Sequence, residues 1–227
     1  AMITKKLKAE TIFLGVNRKR TNFFKKKDAR EILNIDHNDK VILFGTFNMD
    51  APHKGGRIIE SILKIFVSNL YSDNIQKLKF HKIKLITFGR KNTFNVNIPD
   101  IKWIHLGEIH SDKKLNLLYR AADVSASPST GCNGPHIVVE ALSNDLPVVA
   151  FDQGVAQDSV INGVNGYLVP CFDKEIFANS IFKVLFLDEL IDKNNENNKL
   201  KSFFDYSYEA KMIIQHTLKD LKNKTYT

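Results

Sequence analysis

Short apolar runs alternate along this chain with stretches whose apolar residues return every three or four positions. That mixture is the mark of βαβ units built around a parallel sheet. The runs predict six strands, at residues 41–45, 84–88, 103–106, 124–127, 147–151 and 166–169. Between the first two, Ile58, Ile59, Ile62, Leu63, Ile65 and Phe66 fall at helix spacing. Residues 114–122 predict another helix, with Leu115, Leu117, Leu118 and Tyr119 as its apolar positions. Asp173 is expected to cap a helix over 174–187. A last helix, about 207–222, sets Ala210, Ile213, Ile214, Thr217, Leu218 and Leu221 on one stripe, and 194–198 reads as a polar loop. No internal repeat is visible. The predicted fold class is α/β, a single Rossmann-like, doubly wound parallel sheet.

The densest chemistry lies between Ala122 and Pro170. A strand-like segment leads through the turn Thr130-Gly131-Cys132-Asn133-Gly134 into Pro135-His136-Ile137-Val138-Val139-Glu140-Ala141-Leu142. A strand, a glycine-containing turn and a helix carrying an acid one turn in can hold a nucleotide. The free N–H groups of His136, Ile137 and Val138 would face a diphosphate, with the positive end of the helix dipole behind them. Gly134 permits close approach, and Pro135 suits a helix start, where a missing N–H costs nothing. Glu140 would accept hydrogen bonds from ribose hydroxyls. A glycine and a proline in a turn, taken alone, occur in any loop.

Composition narrows the partners. The chain has 227 residues, is 43% hydrophobic and carries a net charge of +8. It fits one large or two small domains. No apolar run approaches the roughly 18 residues a spanning helix needs, and the N-terminus lacks a signal-peptide plan. Cys132 and Cys171 are too few for a disulfide framework, and no Cys/His spacing suggests zinc. These features predict a cytoplasmic protein. The positive charge admits nucleic acid, an anionic membrane surface or an anionic small substrate. Its densest part, Arg18-Lys19-Arg20 with Lys25-Lys26-Lys27, accompanies no nucleic-acid-binding motif. Nucleic acid is therefore not expected as a partner, whereas peripheral contact with the inner face of a plasma membrane is compatible with the charge.

The motifs from Ala122 to Asp152, followed by Asn162-Gly163-Val164-Asn165-Gly166-Tyr167-Leu168, occur in a family's order and spacing. They resemble the nucleotide-sugar half of retaining glycosyltransferases of the GT-B class. More narrowly, they are similar to the family-4 group that builds bacterial lipopolysaccharide, capsule and mannoside glycans. The resemblance runs from about Ile12 to about Leu221. It implies that residues 1–227 form one donor-binding domain, the C-terminal half of a GT-B fold. Residues 1–40 would then lead in from an interdomain linker, and 207–222 would form a C-terminal helix. The segment Thr11-Ile12-Phe13-Leu14-Gly15-Val16-Asn17, with Phe23-Phe24-Lys25, is similar to the family's segment after that linker. The N-terminal acceptor domain is not represented, so upstream chain or a partner chain is expected to supply it. Ala1-Met2 reads as an added start.

The resemblance also implies site residues. In the family the loop after the first strand ends in Arg/His-Lys-Gly, and its lysine clamps the diphosphate. Lys54, within Pro52-His53-Lys54-Gly55-Gly56, stands there and is the expected catalytic group. A fixed ammonium stabilises the charge that develops on a departing diphosphate. A solvated surface lysine is the ordinary alternative. His53 is expected to shape the loop. Many relatives carry an arginine after the strand's glycine, where Thr46 follows Gly45 here. Arg90 is a candidate replacement, or else a loop arginine facing solvent. Glu140 matches the second glutamate of the family's pair. Eight residues earlier stands Cys132, or Gly131 if one loop residue is extra, and neither is acidic. Asn133 is a candidate for hydrogen bonds to the sugar. The nucleobase would lie against backbone at Gly107, Glu108 and Ile109, a contact that leaves UDP-, GDP- and ADP-sugars open. No cofactor and no metal is expected, and no Asp-x-Asp pair occurs.

The expected function is retaining hexosyl transfer from a nucleotide diphosphate sugar to a glycan or lipid-linked acceptor, with this chain as the donor half and inactive alone. Two alternatives stay open: a non-catalytic nucleotide-sugar-binding subunit, and a different GT-B chemistry such as epimerisation of a nucleotide sugar.

Overall fold

A computed structural model describes residues 16, 23–72, 82–131, 136–187 and 205–224. The chain order is α1 (Lys26–Ile32), β1 (Lys40–Asn48), a 3-10 turn (Pro52–Lys54), α2 (Gly56–Ser72), β2 (Ile83–Arg90) and β3 (Ile101–His105). It continues with α3 (Asp112–Ala121), β4 (Val124–Ser127), α4 (His136–Ser143), β5 (Val148–Phe151), α5 (Val155–Ser159) and β6 (Gly166–Val169). It closes with α6 (Lys174–Phe182), a π-turn (Lys183–Leu187) and α7 (Tyr206–Lys224). The six strands form one parallel sheet in the order β3-β2-β1-β4-β5-β6. The doubly wound sheet expected from periodicity is the observed one.

Alternating side chains feed two cores. Ile42 and Phe44 of β1 face a layer made by α2 and α6, with Ile59, Ile62, Leu63, Phe66 and Phe177 fully buried. Val41 and Leu43 face α1, α3, α4 and α5, where Tyr119, Val138, Ala141 and Ala156 are buried. With both faces covered, the strands read as nearly continuous apolar runs. Asp173 caps α6 as expected, accepting a hydrogen bond from the Ile176 N–H at 2.9 Å. The helix leaves α geometry at Lys183, so the predicted 174–187 helix ends in a π-turn.

Three further features depart from the expectation. β1 does not stop at Gly45 but runs on to Asn48, with a register shift between those two residues. The extension pairs with the end of β2, where Gly89 adopts φ 120° and any Cβ would collide with the Thr46 carbonyl. Helix α1, inside the expected lead-in, was hidden because its inward face is charged. Arg30 is buried, donating to Asp123 Oδ2 at 2.6 Å and to the carbonyls of Ala121 and His37. Asp123 also accepts from the Val41 N–H, so the network ties α1 to the starts of β1 and β4. Finally, Ile213, Ile214 and Leu218 of the expected α7 stripe remain about half exposed rather than packing into a core. The predicted loop at 194–198 lies outside the described residues.

Candidate nucleotide site

The winding of the sheet reverses between β1 and β4, so the crossovers on the two sides diverge and leave a crevice at the strands' C-terminal ends. A cavity of about 210 Å³ opens there. The end of β1 supplies Phe44, Gly45, Thr46 and Phe47, and β2 supplies Phe88. Ser127 and Ser129 come from the end of β4, Lys54 from the 3-10 turn, and His136, Ile137 and Glu140 from α4. Residues spread over more than 90 positions of sequence therefore meet in one site. Among its described lining residues, Lys54 supplies the ammonium and Glu140 the carboxylate.

Lys54 is carried by a turn that is stitched on both sides. The His53 carbonyl accepts hydrogen bonds from the Thr130 N–H and the Ser129 hydroxyl, each at 2.9 Å. Gly55 follows with φ 84°, and a Cβ there would collide with the Pro128 carbonyl. The expected loop-shaping role of His53 thus falls to its backbone. Upstream, Asp50 accepts from the N–H groups of Asn92, Thr93 and Phe94 and from the Thr93 hydroxyl, at 2.6–3.0 Å. The Thr93 hydroxyl and those N–H groups lower its pKa to about 2.

Glu140 is held differently. It lies on the partly exposed side of α4, while Val138 and Ala141 point into the core. The Tyr119 hydroxyl of α3 donates to Glu140 Oε2 at 2.6 Å. Tyr119 is only 2% exposed, and burial followed by the nearby carboxylate charge raises its pKa well above the usual phenol value. Its ring meets Phe88 edge-on at 6.3 Å. Phe88 in turn lies over Gly45, where any Cβ would collide with the ring. Gly45 thus has a packing reason that its sequence position did not reveal.

The remaining predicted contacts separate from this cavity. The Arg90 Nε donates to Glu108 Oε1 at 2.7 Å, and its guanidinium stacks on Phe47, 4.7 Å from the ring centroid. Arg90 does not line the cavity. Glu108 and Ile109 line a second cavity of about 550 Å³, with Leu33, Leu106, Lys114 and Leu117. Gly107 accepts a hydrogen bond from the Gly89 N–H at 2.8 Å, which joins the ends of β2 and β3. The His136 side chain is exposed, whereas those of Ile137 and Val138 are buried, so Val138 offers a ligand only its backbone. Cys132, Asn133, Gly134 and Pro135 lie outside the described residues, as does the Arg18-Lys19-Arg20 cluster.

Sequence reasoning missed Phe44, Phe47, Phe88, Ser127 and Ser129 in the lining, and Tyr119 behind it. Only Tyr119 left a usable signal: a tyrosine on a buried helix stripe needs a partner for its hydroxyl. Chemically, the cavity offers an ammonium and a helix N-terminus to an anion, and an oriented carboxylate to hydroxyl groups. Among the described residues, no three His, Cys, Asp or Glu side chains gather as a metal site would need. No helix among them is long and apolar enough to cross a membrane.

The family described as glycosyl transferases group 1 matches residues 72–201. No curated protein matches the sequence significantly. Among solved structures, the chain is similar to sucrose-phosphate synthase from Thermosynechococcus elongatus, at 22% identity and TM-score 0.71, covering 93% of this chain and 52% of that one. It is also similar to HepE from Anabaena, solved in complex with UDP-glucose, at 20% identity and TM-score 0.67, covering 92% and 57%. A glycosyltransferase from Rickettsia africae gives 17% identity and TM-score 0.64, covering 93% and 57%. The chain therefore spans a little over half the length of each of these structures. The shared fold is the C-terminal half of the GT-B architecture.

Proposed function

This chain belongs to the glycosyl transferases group 1 family, and we propose that it is the donor-binding half of a retaining glycosyltransferase that uses a nucleotide diphosphate sugar. The observation that carries this reading is the meeting of Lys54, the α4 N-terminus and Glu140 around one cavity at the switch point of the sheet. The diphosphate would lie between the Lys54 ammonium and the first N–H groups of α4, where developing negative charge is stabilised without a divalent ion. Glu140 would accept from the ribose hydroxyls. The Anabaena relative was solved with UDP-glucose, which favours UDP over GDP or ADP as the nucleotide. The acceptor half would come from further chain or a partner subunit, and the acceptor itself would be a growing, often lipid-linked, bacterial surface glycan made at the cytoplasmic face of the membrane.

Positioning two substrates contributes several kcal/mol to lowering a transfer barrier, and a donor half orders only one. This chain alone is therefore expected to transfer no sugar. A melting-temperature screen of UDP, GDP and ADP at millimolar concentration tests the donor role directly. A ligand at about 100 times its dissociation constant stabilises the folded state by about 2.7 kcal/mol, which is readily measured. No shift with any of the three would overturn the proposal.

One set of observations favours a second reading, a binding subunit without catalysis. Neither Cys132 nor Gly131 supplies the family's first glutamate, Thr46 stands where relatives carry arginine, and Arg90 is engaged by Glu108. Donor-dependent transfer by the protein joined to its acceptor half would exclude that reading.

A further inference from the structure

A carboxylate recognises a ribose well only when it is held in one orientation, and a glutamate on a half-exposed helix face is otherwise free to turn. We propose that Tyr119 is the positioning residue that fixes Glu140 for the ribose, granting Glu140 the ribose role given above. The contact joins a proton donor that stays protonated to an acceptor in the cavity wall, at 2.6 Å. Short bonds of this charge-assisted kind are roughly twice as strong as neutral ones.

The geometry distinguishes this role from simple packing. Tyr119 is buried among apolar residues, where phenylalanine would fill the same space. The hydroxyl adds nothing to that packing except its bond to Glu140. A hydroxyl has one proton to give, and here it goes to Oε2. Among the described residues no hydrogen bond occupies Oε1. That oxygen remains an acceptor for a ribose hydroxyl, in an orientation already set before the ligand arrives. Pre-organisation of this kind saves the rotamer entropy that binding would otherwise cost. The ring end of Tyr119 is equally fixed, because Phe88 packs edge-on against it and itself requires Gly45 beneath. A continuous line of contacts thus runs from β1 through β2 and α3 to the carboxylate on α4.

The test compares UDP with its 2′,3′-dideoxy analogue, titrated calorimetrically into the full chain. For the parent, UDP should bind more tightly than the dideoxy analogue. Tyr119→Phe should weaken UDP about tenfold, the scale of one hydrogen bond to a charged group, and leave the dideoxy analogue unchanged. Glu140→Gln should collapse the same ratio, and the double variant should be no worse than Glu140→Gln alone. If Tyr119→Phe keeps the parental ratio, or weakens both ligands equally, the hydroxyl is only structural and the assignment is overturned. A parent that binds neither ligand overturns the nucleotide site itself and Tyr119's role with it. Should Tyr119→Phe melt too low to titrate, the same titrations are run in trimethylamine N-oxide, which favours the folded state, and the same two outcomes decide the matter.

Discussion

The two walls of the cavity reach similar order by opposite means. The Lys54 wall is a surface turn with no core of its own, held by backbone carbonyls and by Asp50 bridging to Asn92, Thr93 and Phe94. The Glu140 wall is a helix face backed by the second core, and its carboxylate is held by a buried phenol. Hydrogen bonds near solvent each contribute little and exchange readily with water, whereas a buried aromatic side chain is fixed by its surroundings. The Lys54 wall should therefore respond to charge and pH with little change in global stability. The Glu140 wall should respond to volume changes that destabilise the whole fold.

The largest effect should come from truncating the buried support of the second wall. Tyr119→Ala removes a nearly fully buried aromatic ring, and substitutions of that kind cost about 3–5 kcal/mol. Urea or thermal unfolding should show that loss, and a variant as stable as the parent would break the contrast between the walls. Next comes Lys54→Ala, expected to leave unfolding nearly unchanged while weakening UDP by roughly 1.5–3 kcal/mol, the range for hydrogen bonds to charged groups. Uridine, which lacks phosphates, should bind this variant as it binds the parent. Equal UDP affinity of variant and parent would remove Lys54 from the site.

The smallest effect should come from Asp50→Asn and should be visible mainly in acid. Asp50 in the folded chain titrates near 2, below its ordinary 3.8. Its contribution is thus complete above about 3.8 and is lost as pH falls through about 2, because only the unfolded state binds the proton readily in that window. The parent should lose stability over that range more steeply than Asp50→Asn. Identical acid-unfolding profiles would show that the bridge to 92–94 does not hold the Lys54 wall.

The strands, the doubly wound sheet with helices on both faces, and Lys54 and Glu140 as site candidates were legible in the sequence alone. A strand buried on both faces must be apolar throughout, and a helix packed on one face of the sheet must repeat its apolar residues every three to four positions. Such constraints are local, which is why six strands fall within three residues of their expected bounds. The motif around Glu140 was legible for a similar reason: close backbone approach and a helix N-terminus need particular residues at fixed spacing.

Other features depended on contacts between distant residues. The extension of β1 past Gly45 needs the end of β2 beside it, and α1 becomes visible only through the pairing of Arg30 with Asp123, 93 positions away. Arg90 is drawn to Glu108 and Phe47 because the sheet brings the ends of β1, β2 and β3 together. Tyr119 counted as one more apolar position until α3 and α4 set its hydroxyl 2.6 Å from Glu140. Periodicity records which side of an element avoids water, and so it determined the layers of this protein. It carries no record of which polar atom a buried hydroxyl or guanidinium will meet, because only the packed chain brings those partners within hydrogen-bonding distance.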